Sequence, residues 1–274
     1  MPGAAKSGTS TLHALLSAHP QIEGARPKES QHFSFDELYS GGANAHNSLF
    51  EQSPKIRYYL DSSQCYMIHQ KALSRIYKDL DSPKAIFLLR EPVARVLSHY
   101  RWNYRLTVEK SPLMQALNER GEDTGYSFDP LVEMYREHGG YLSLSRYSHW
   151  IPRWREALGE ENILLIRTED LKKDQKKIMK LCFDFLEIED IQIKIGQNRN
   201  TTAETVRLPS RYLRAVAKFI PGGLHTSRPY RMLRHLYLGA TTPKPPSDLT
   251  DAEETFLRAA LADDIAFHAA LAPT

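Results

Sequence analysis

Gly3-Ala4-Ala5-Lys6-Ser7-Gly8-Thr9-Ser10-Thr11-Leu12 is a run of small residues with one lysine that passes into a helix, marked by Leu12, Leu15 and Leu16 at helical spacing. Small residues let a backbone approach a ligand closely. The first amides of a helix have no partner within it and sit at the positive end of its dipole, so they attract a phosphate or sulfate group. Lys6 adds a mobile full charge. The stretch reads as an anion cradle. In the loop that holds ATP the lysine follows the last glycine, as G-x-x-x-x-G-K-S/T. Here Lys6 precedes Ser7-Gly8-Thr9, which argues against an ATP-type loop.

Outward from the cradle, Ala85-Ile86-Phe87-Leu88-Leu89 is a continuous apolar run and predicts a buried strand. Glu91-Pro92 opens the next helix, with Val93, Val96, Leu97 and Tyr100 on one side. Further strands are expected over 55–60 and 162–166, and helices over 68–77, 130–137, 141–158, 169–185 and 251–271. Residues 26–47 read as irregular, and 111–129 as a surface insertion with Gly121 and Gly125 as breakers. Strands alternating with helices predict an α/β fold, a mostly parallel sheet flanked by helices. From about residue 200 onward the pattern is helical only. The whole is read as a single domain over 1–274.

A chain of 274 residues with 41% hydrophobic and 25% charged residues is ordinary for a globular protein of that size. The net charge of +3 is too small to mark a nucleic-acid binder. Between Thr205 and Ser247 there is no acidic residue, while Arg207, Arg211, Arg214, Lys218, Arg228, Arg231, Arg234 and Lys244 are basic. Such a stretch suits an acidic ligand, an acidic substrate or an anionic membrane surface, and equally a solvated basic face. Cys65 and Cys182 show no metal-ligand spacing, and two cysteines make no disulfide framework, so a reducing, cytoplasmic compartment is expected. No apolar run approaches the length of a membrane span, and no signal peptide precedes the loop.

The second chemical element follows the 85–89 strand. Arg90 stands at its carboxyl end, where ligands bind in open α/β sheets, and its planar fork suits a terminal phosphate. Ser98 follows eight residues later on the helix, near enough for both groups to converge on one anion.

With both elements in view, the chain resembles the sulfotransferases that use PAPS (3′-phosphoadenosine 5′-phosphosulfate), and among them the bacterial enzymes related to the heparan sulfate sulfotransferases. Their K-x-G-T-T/S-x-L loop matches Lys6 to Leu12, and their R-x-P-x-x-R-x-x-S-x-Y element matches Arg90, Pro92, Arg95, Ser98 and Tyr100 without a gap. Trp154, the 163–166 strand, Glu169-Asp170-Leu171 and Phe185-Leu186 follow in the familiar order. The resemblance implies a P-loop-type fold, with a nucleotide-binding core over 3–190 and a helical part over 200–274. It implies PAPS as co-substrate, held at its 5′-phosphosulfate by Lys6, Ser7, Gly8, Thr9 and Ser10 and at its 3′-phosphate by Arg90 and Ser98. Arg26-Pro27-Lys28-Glu29-Ser30-Gln31-His32-Phe33 is similar to the family's K-E-P-x-F/Y-F segment, whose glutamate deprotonates the acceptor; this puts the base on Glu29, with His32 the competing residue.

Two departures stand out. The family's K-S/T-P-x-Y segment reads Ser62-Ser63-Gln64-Cys65-Tyr66, without lysine or proline. Only Met1-Pro2 precedes the loop where relatives have an apolar strand, so the sheet is expected to lack its first strand. The function expected is sulfuryl transfer from PAPS to a hydroxyl or amine of a small-molecule or glycan acceptor, with no metal and no nucleic-acid partner. A non-catalytic or truncated nucleotide-binding relative and a P-loop phosphoryl transferase stay open as alternatives.

Overall fold

The computed structural model describes residues 1–105, 108–123, 126–129, 134–137, 140–193 and 248–271. The chain divides into two compact units, one of Met1–Ser98, Leu142–Gln197 and Glu254–Thr274, the other of His99–Tyr141 and Asn198–Glu253. The basic stretch from Arg207 to Lys244 lies outside the described residues. Among those described, no helix is long and apolar enough to cross a membrane.

In chain order the elements are α1 (Thr9–Leu16), β1 (Ile22–Gly24), α2 (Asp36–Tyr39), α3 (Gly42–Asn47), β2 (Tyr58–Leu60), α4 (Gln70–Asp79), β3 (Ala85–Leu89) and α5 (Pro92–Arg105). After them come α6 (Leu113–Arg120), β4 (Tyr126–Asp129), β5 (Met134–Glu137), α7 (Tyr147–Leu158), β6 (Ile163–Arg167), α8 (Thr168–Lys173), α9 (Gln175–Leu186), α10 (Asp251–Ala260) and α11 (Ala262–Ala270). β1 pairs with β2 and β3 with β6, both parallel, the latter from Ala85 opposite Ile163 to Leu89 opposite Arg167. The chain start joins this arrangement. Gly3 bridges Phe87 in parallel, with Ala4 N–H donating to the Leu88 carbonyl at 2.8 Å and Leu88 N–H to the Gly3 carbonyl at 2.9 Å. The Met1 amine reaches the Asp61 carbonyl just past β2 at 2.6 Å. In place of a full first strand there is thus one bridge. Beside Met1 a cavity of about 50 Å³ is lined by Leu16, Ile22, Leu60, Ile86 and Leu186.

All five residues of β3 are buried, as a strand covered on both faces requires. Side chains alternate along a strand. Ile86 and Leu88 pack with Leu12, Leu15 and Leu16 of α1 and Ile178, Cys182 and Phe183 of α9. Phe87 points the other way and meets the Trp154 ring of α7 edge-on at 5.3 Å. Trp154 is 2% exposed and donates its indole N–H to the Met67 carbonyl at 3.1 Å. Trp154→Ala removes both the packing and the bond, and is expected to cost about 3–5 kcal/mol of unfolding free energy, read by urea denaturation.

Several readings of the sequence need amendment: residues 26–47, read as irregular, contain α2 and α3, and the helix expected over 141–158 begins only at Tyr147. Residues 134–137, expected as helix, are strand β5, antiparallel to β4, whose Tyr126 to Asp129 fall in the expected surface insertion. The pairing of two short segments outweighs the weak local preference of either. The same insertion contains α6, which buries Leu113, Ala116 and Leu117. Nearby, Glu109 is buried and accepts from Arg120 at 2.6 Å and the Tyr141 hydroxyl at 2.9 Å. The helix expected over 169–185 breaks at Asp174, whose carboxylate accepts the Lys177 amide at 2.9 Å and so caps α9. The one expected over 251–271 breaks at Leu261 into α10 and α11.

Candidate active site

The Gly3–Phe87 bridge delivers the loop at the carboxyl end of β3. Lys6 at φ 67° and Gly8 at φ 96° are both left-handed, a conformation glycine adopts freely and lysine does not. Gly8 is the N-cap of α1, with no side chain capping the helix and no acidic residue in its first turn. Thr11 N–H donates to the Gly8 carbonyl at 3.0 Å, so the amides of Thr9 and Ser10 are the ones offered outward with the dipole behind them. Such a donor set fits a phosphosulfate. Ser7 and Thr9 are buried, Lys6 is half-buried, and Gly8 and Ser10 are exposed.

Four contacts tie the cradle and the strand ends together. The Thr168 hydroxyl, at the start of α8, lies 2.7 Å from the Ser7 carbonyl and 3.0 Å from the Leu89 carbonyl. Arg90 Nη1 donates to the Lys6 carbonyl at 3.4 Å. Tyr147 Oη donates to the Arg90 carbonyl at 3.0 Å. Arg90, half-buried, thus stands beside the cradle, while Ser98 is half-buried on α5. Arg95, on the same helix, is fully buried and donates Nε to Ser145 Oγ at 2.5 Å, so its side chain serves the packing of α5. Thr168 and Tyr147 escaped the sequence reading because nothing local marks them; Thr168 is 161 residues from its partner Ser7.

Glu29 is linked to the cradle through Lys28. Its carboxylate, 15% exposed, accepts from Lys28 Nζ at 2.9 Å and from Gln64 Nε2 at 3.2 Å. Lys28 Nζ also reaches Thr9 Oγ1 at 3.5 Å. A part-buried network centred on Asp61 fixes the loop that carries Glu29. The Asp61 carboxylate accepts from Ser30 Oγ at 2.5 Å, Ser63 Oγ at 2.6 Å and Tyr66 Oη at 2.7 Å. Ser63 Oγ in turn accepts the Gln31 amide at 2.8 Å, and Tyr66 Oη the Phe33 amide at 3.2 Å. The 62–66 segment, which departs from the family pattern, is the scaffold of this loop. His32 is placed differently. Its ring packs with Phe33 and His46 at 5.0 Å and with Tyr39 at 5.8 Å, and burial together with His46 holds its pKa below the ordinary range.

His13, one turn past Thr9, sets Nδ1 2.7 Å from Ser62 Oγ. Burial above all, with the charges of Lys28 and the chain amine, lowers its pKa from 6.5 to about 4, against the opposing pull of Asp61. A histidine depressed on folding contributes stability that is complete above its unfolded pKa and lost as the pH falls through the folded one. The fold is expected to weaken from about pH 6.5 down to about 4 as His13 takes up a proton. In His13→Gln that part of the slope should vanish, as read by Tm against pH.

The sequence profile described as the sulfotransferase domain matches residues 1–205. The heparan sulfate glucosamine 3-O-sulfotransferase 5 of Mus musculus is 32% identical over 192 residues, 68% of this chain and 52% of its own length. The membrane-associated sulfotransferase kil1 of Dictyostelium discoideum is 31% identical over 134 residues, 47% of this chain and 26% of its own. The chain therefore spans about half or less of these curated relatives. A crystal structure of a sulfotransferase from Alicyclobacillus acidocaldarius shares the fold, with a TM-score of 0.61 at 22% identity over 86% of this chain and 94% of that one. With the profile covering most of its length, the chain belongs to the sulfotransferase domain family.

Proposed function

We propose that the chain transfers the sulfuryl group of PAPS to a hydroxyl or amine of an acceptor, and that the acceptor class is carbohydrate, as the names of the heparan sulfate relatives suggest. The observation that carries this reading is the single contact chain from Glu29 through Lys28 to Thr9, which sets a carboxylate at the rim of an uncapped helix start. In this reading Lys6 and the amides of Ser7 to Ser10 take the 5′-phosphosulfate, and Arg90 and Ser98 the 3′-phosphate. The acceptor oxygen attacks sulfur, its proton passes to Glu29, and the bond from sulfur to the bridging phosphate oxygen breaks. That oxygen leaves with the electron pair on adenosine 3′,5′-bisphosphate, where Lys6 and the helix amides meet the growing charge. Two buried thiols, Cys65 and Cys182, support a reducing cytoplasmic setting.

Titration calorimetry with adenosine 3′,5′-bisphosphate tests the reading directly. One molecule is expected to bind per chain, more tightly than ATP, and Arg90→Ala should weaken it by about tenfold or more. Preference for ATP would favour a phosphoryl transferase, and binding of neither a non-catalytic relative.

A further inference from the structure

Lys28 does more in this geometry than neutralise its neighbour. Its ammonium bonds the candidate base at 2.9 Å and the first residue of α1 at 3.5 Å, so it spans from the base to the cradle. An ammonium carries three donors, and these two contacts account for two of them. Displacement at sulfur places the attacking oxygen, the sulfur and the leaving oxygen in one line. The attacking oxygen must meet Glu29 to lose its proton, and the leaving oxygen must lie at the helix start beside Thr9. A group bridging Glu29 and Thr9 flanks the middle of that line, where the remaining oxygens of the transferring group carry their negative charge. Lys28 and Glu29 are only 22% and 15% exposed, so a charge here acts with less screening than in water.

Ser62, which stands where the family pattern has lysine, brings no cation to this place. The Ser62 amide ties the Lys28 carbonyl at 3.3 Å, but the Ser62 hydroxyl is engaged by His13, whose imidazole is neutral at neutral pH because burial has lowered its pKa to about 4. We propose that Lys28 is a catalytic cation of this site, which contacts the transferring sulfuryl group directly and stabilises its charge, in addition to holding Glu29. The proposal rests on the sulfuryl-transfer reading above.

Glu29→Gln separates the two roles of Lys28. Water can serve as the acceptor, so that PAPS and water give sulfate and adenosine 3′,5′-bisphosphate, and this slow hydrolysis is followed with sulfur-labelled PAPS. Lys28→Met is expected to slow hydrolysis by about 10²-fold both in the parent protein and in the Glu29→Gln background, the size expected for one lost donor to developing charge. Lys28→Arg should restore most of the loss, and bisphosphate affinity and Tm should be little changed. If Lys28→Met has no further effect once Glu29 is glutamine, Lys28 acts only through the base and the proposal fails. If the parent protein neither binds the bisphosphate nor hydrolyses PAPS, the underlying reading falls first and the proposal with it.

Discussion

Glu29→Gln is expected to lower sulfuryl-transfer turnover by about 10²–10⁴-fold while leaving bisphosphate affinity almost unchanged. An acceptor hydroxyl is a poor nucleophile at neutral pH, and the amide cannot take its proton. The swap conserves shape, and the loop that carries residue 29 is held by Asp61 through Ser30, Ser63 and Tyr66 rather than by the carboxylate itself. The loss therefore reports chemistry and not misplacement. Its signature is a fall in kcat with KM for PAPS near the parent value. His32→Asn is the control: its ring is packed among Phe33, Tyr39 and His46, and a larger loss there than at Glu29 would move the base to His32.

Lys6→Ala is the second large effect, about 10²-fold or more in turnover. The backbone of residue 6 is tied by its carbonyl to Arg90, and the substitution leaves that bond in place. What disappears is the ammonium that the proposed mechanism sets next to the leaving phosphate oxygen. Alanine at φ 67° is no worse placed than lysine, so the loop should keep its path. Single-turnover transfer is expected to slow far more than bisphosphate binding weakens, because charge on the leaving oxygen develops only as the bond breaks. Near-parent turnover would remove Lys6 from the mechanism.

Strand β3 shows how much of this was legible in the chain. A five-residue apolar run between Pro83 and Pro92 permits little else, and Ala85–Leu89 are strand with all five residues buried. The cradle was equally local, since Lys6, Gly8 and the start of α1 sit within a few residues of each other. The hairpin of β4 and β5 was not legible, because each strand has four residues and is decided by its partner. Residues 62–66 read as a damaged motif without lysine or proline, yet Ser63 and Tyr66 are two of the three donors that fix Asp61 and, with it, the loop of Glu29.

By itself, then, the sequence determined strand β3 and the helix start that follows the small-residue loop, and it named that loop as a candidate anion cradle and Glu29 and His32 as candidate bases, since short-range geometry and continuous burial are written in adjacent residues. Only the tertiary structure gave the candidates their different surroundings. It set Glu29 beside Lys28 and Lys28 beside Thr9, drew His32 into an aromatic cluster, and tied Ser7 to Thr168. The Lys28–Thr9 and Ser7–Thr168 contacts join residues 19 and 161 apart along the chain, and their distances follow from how helices and strands pack, which no local pattern encodes.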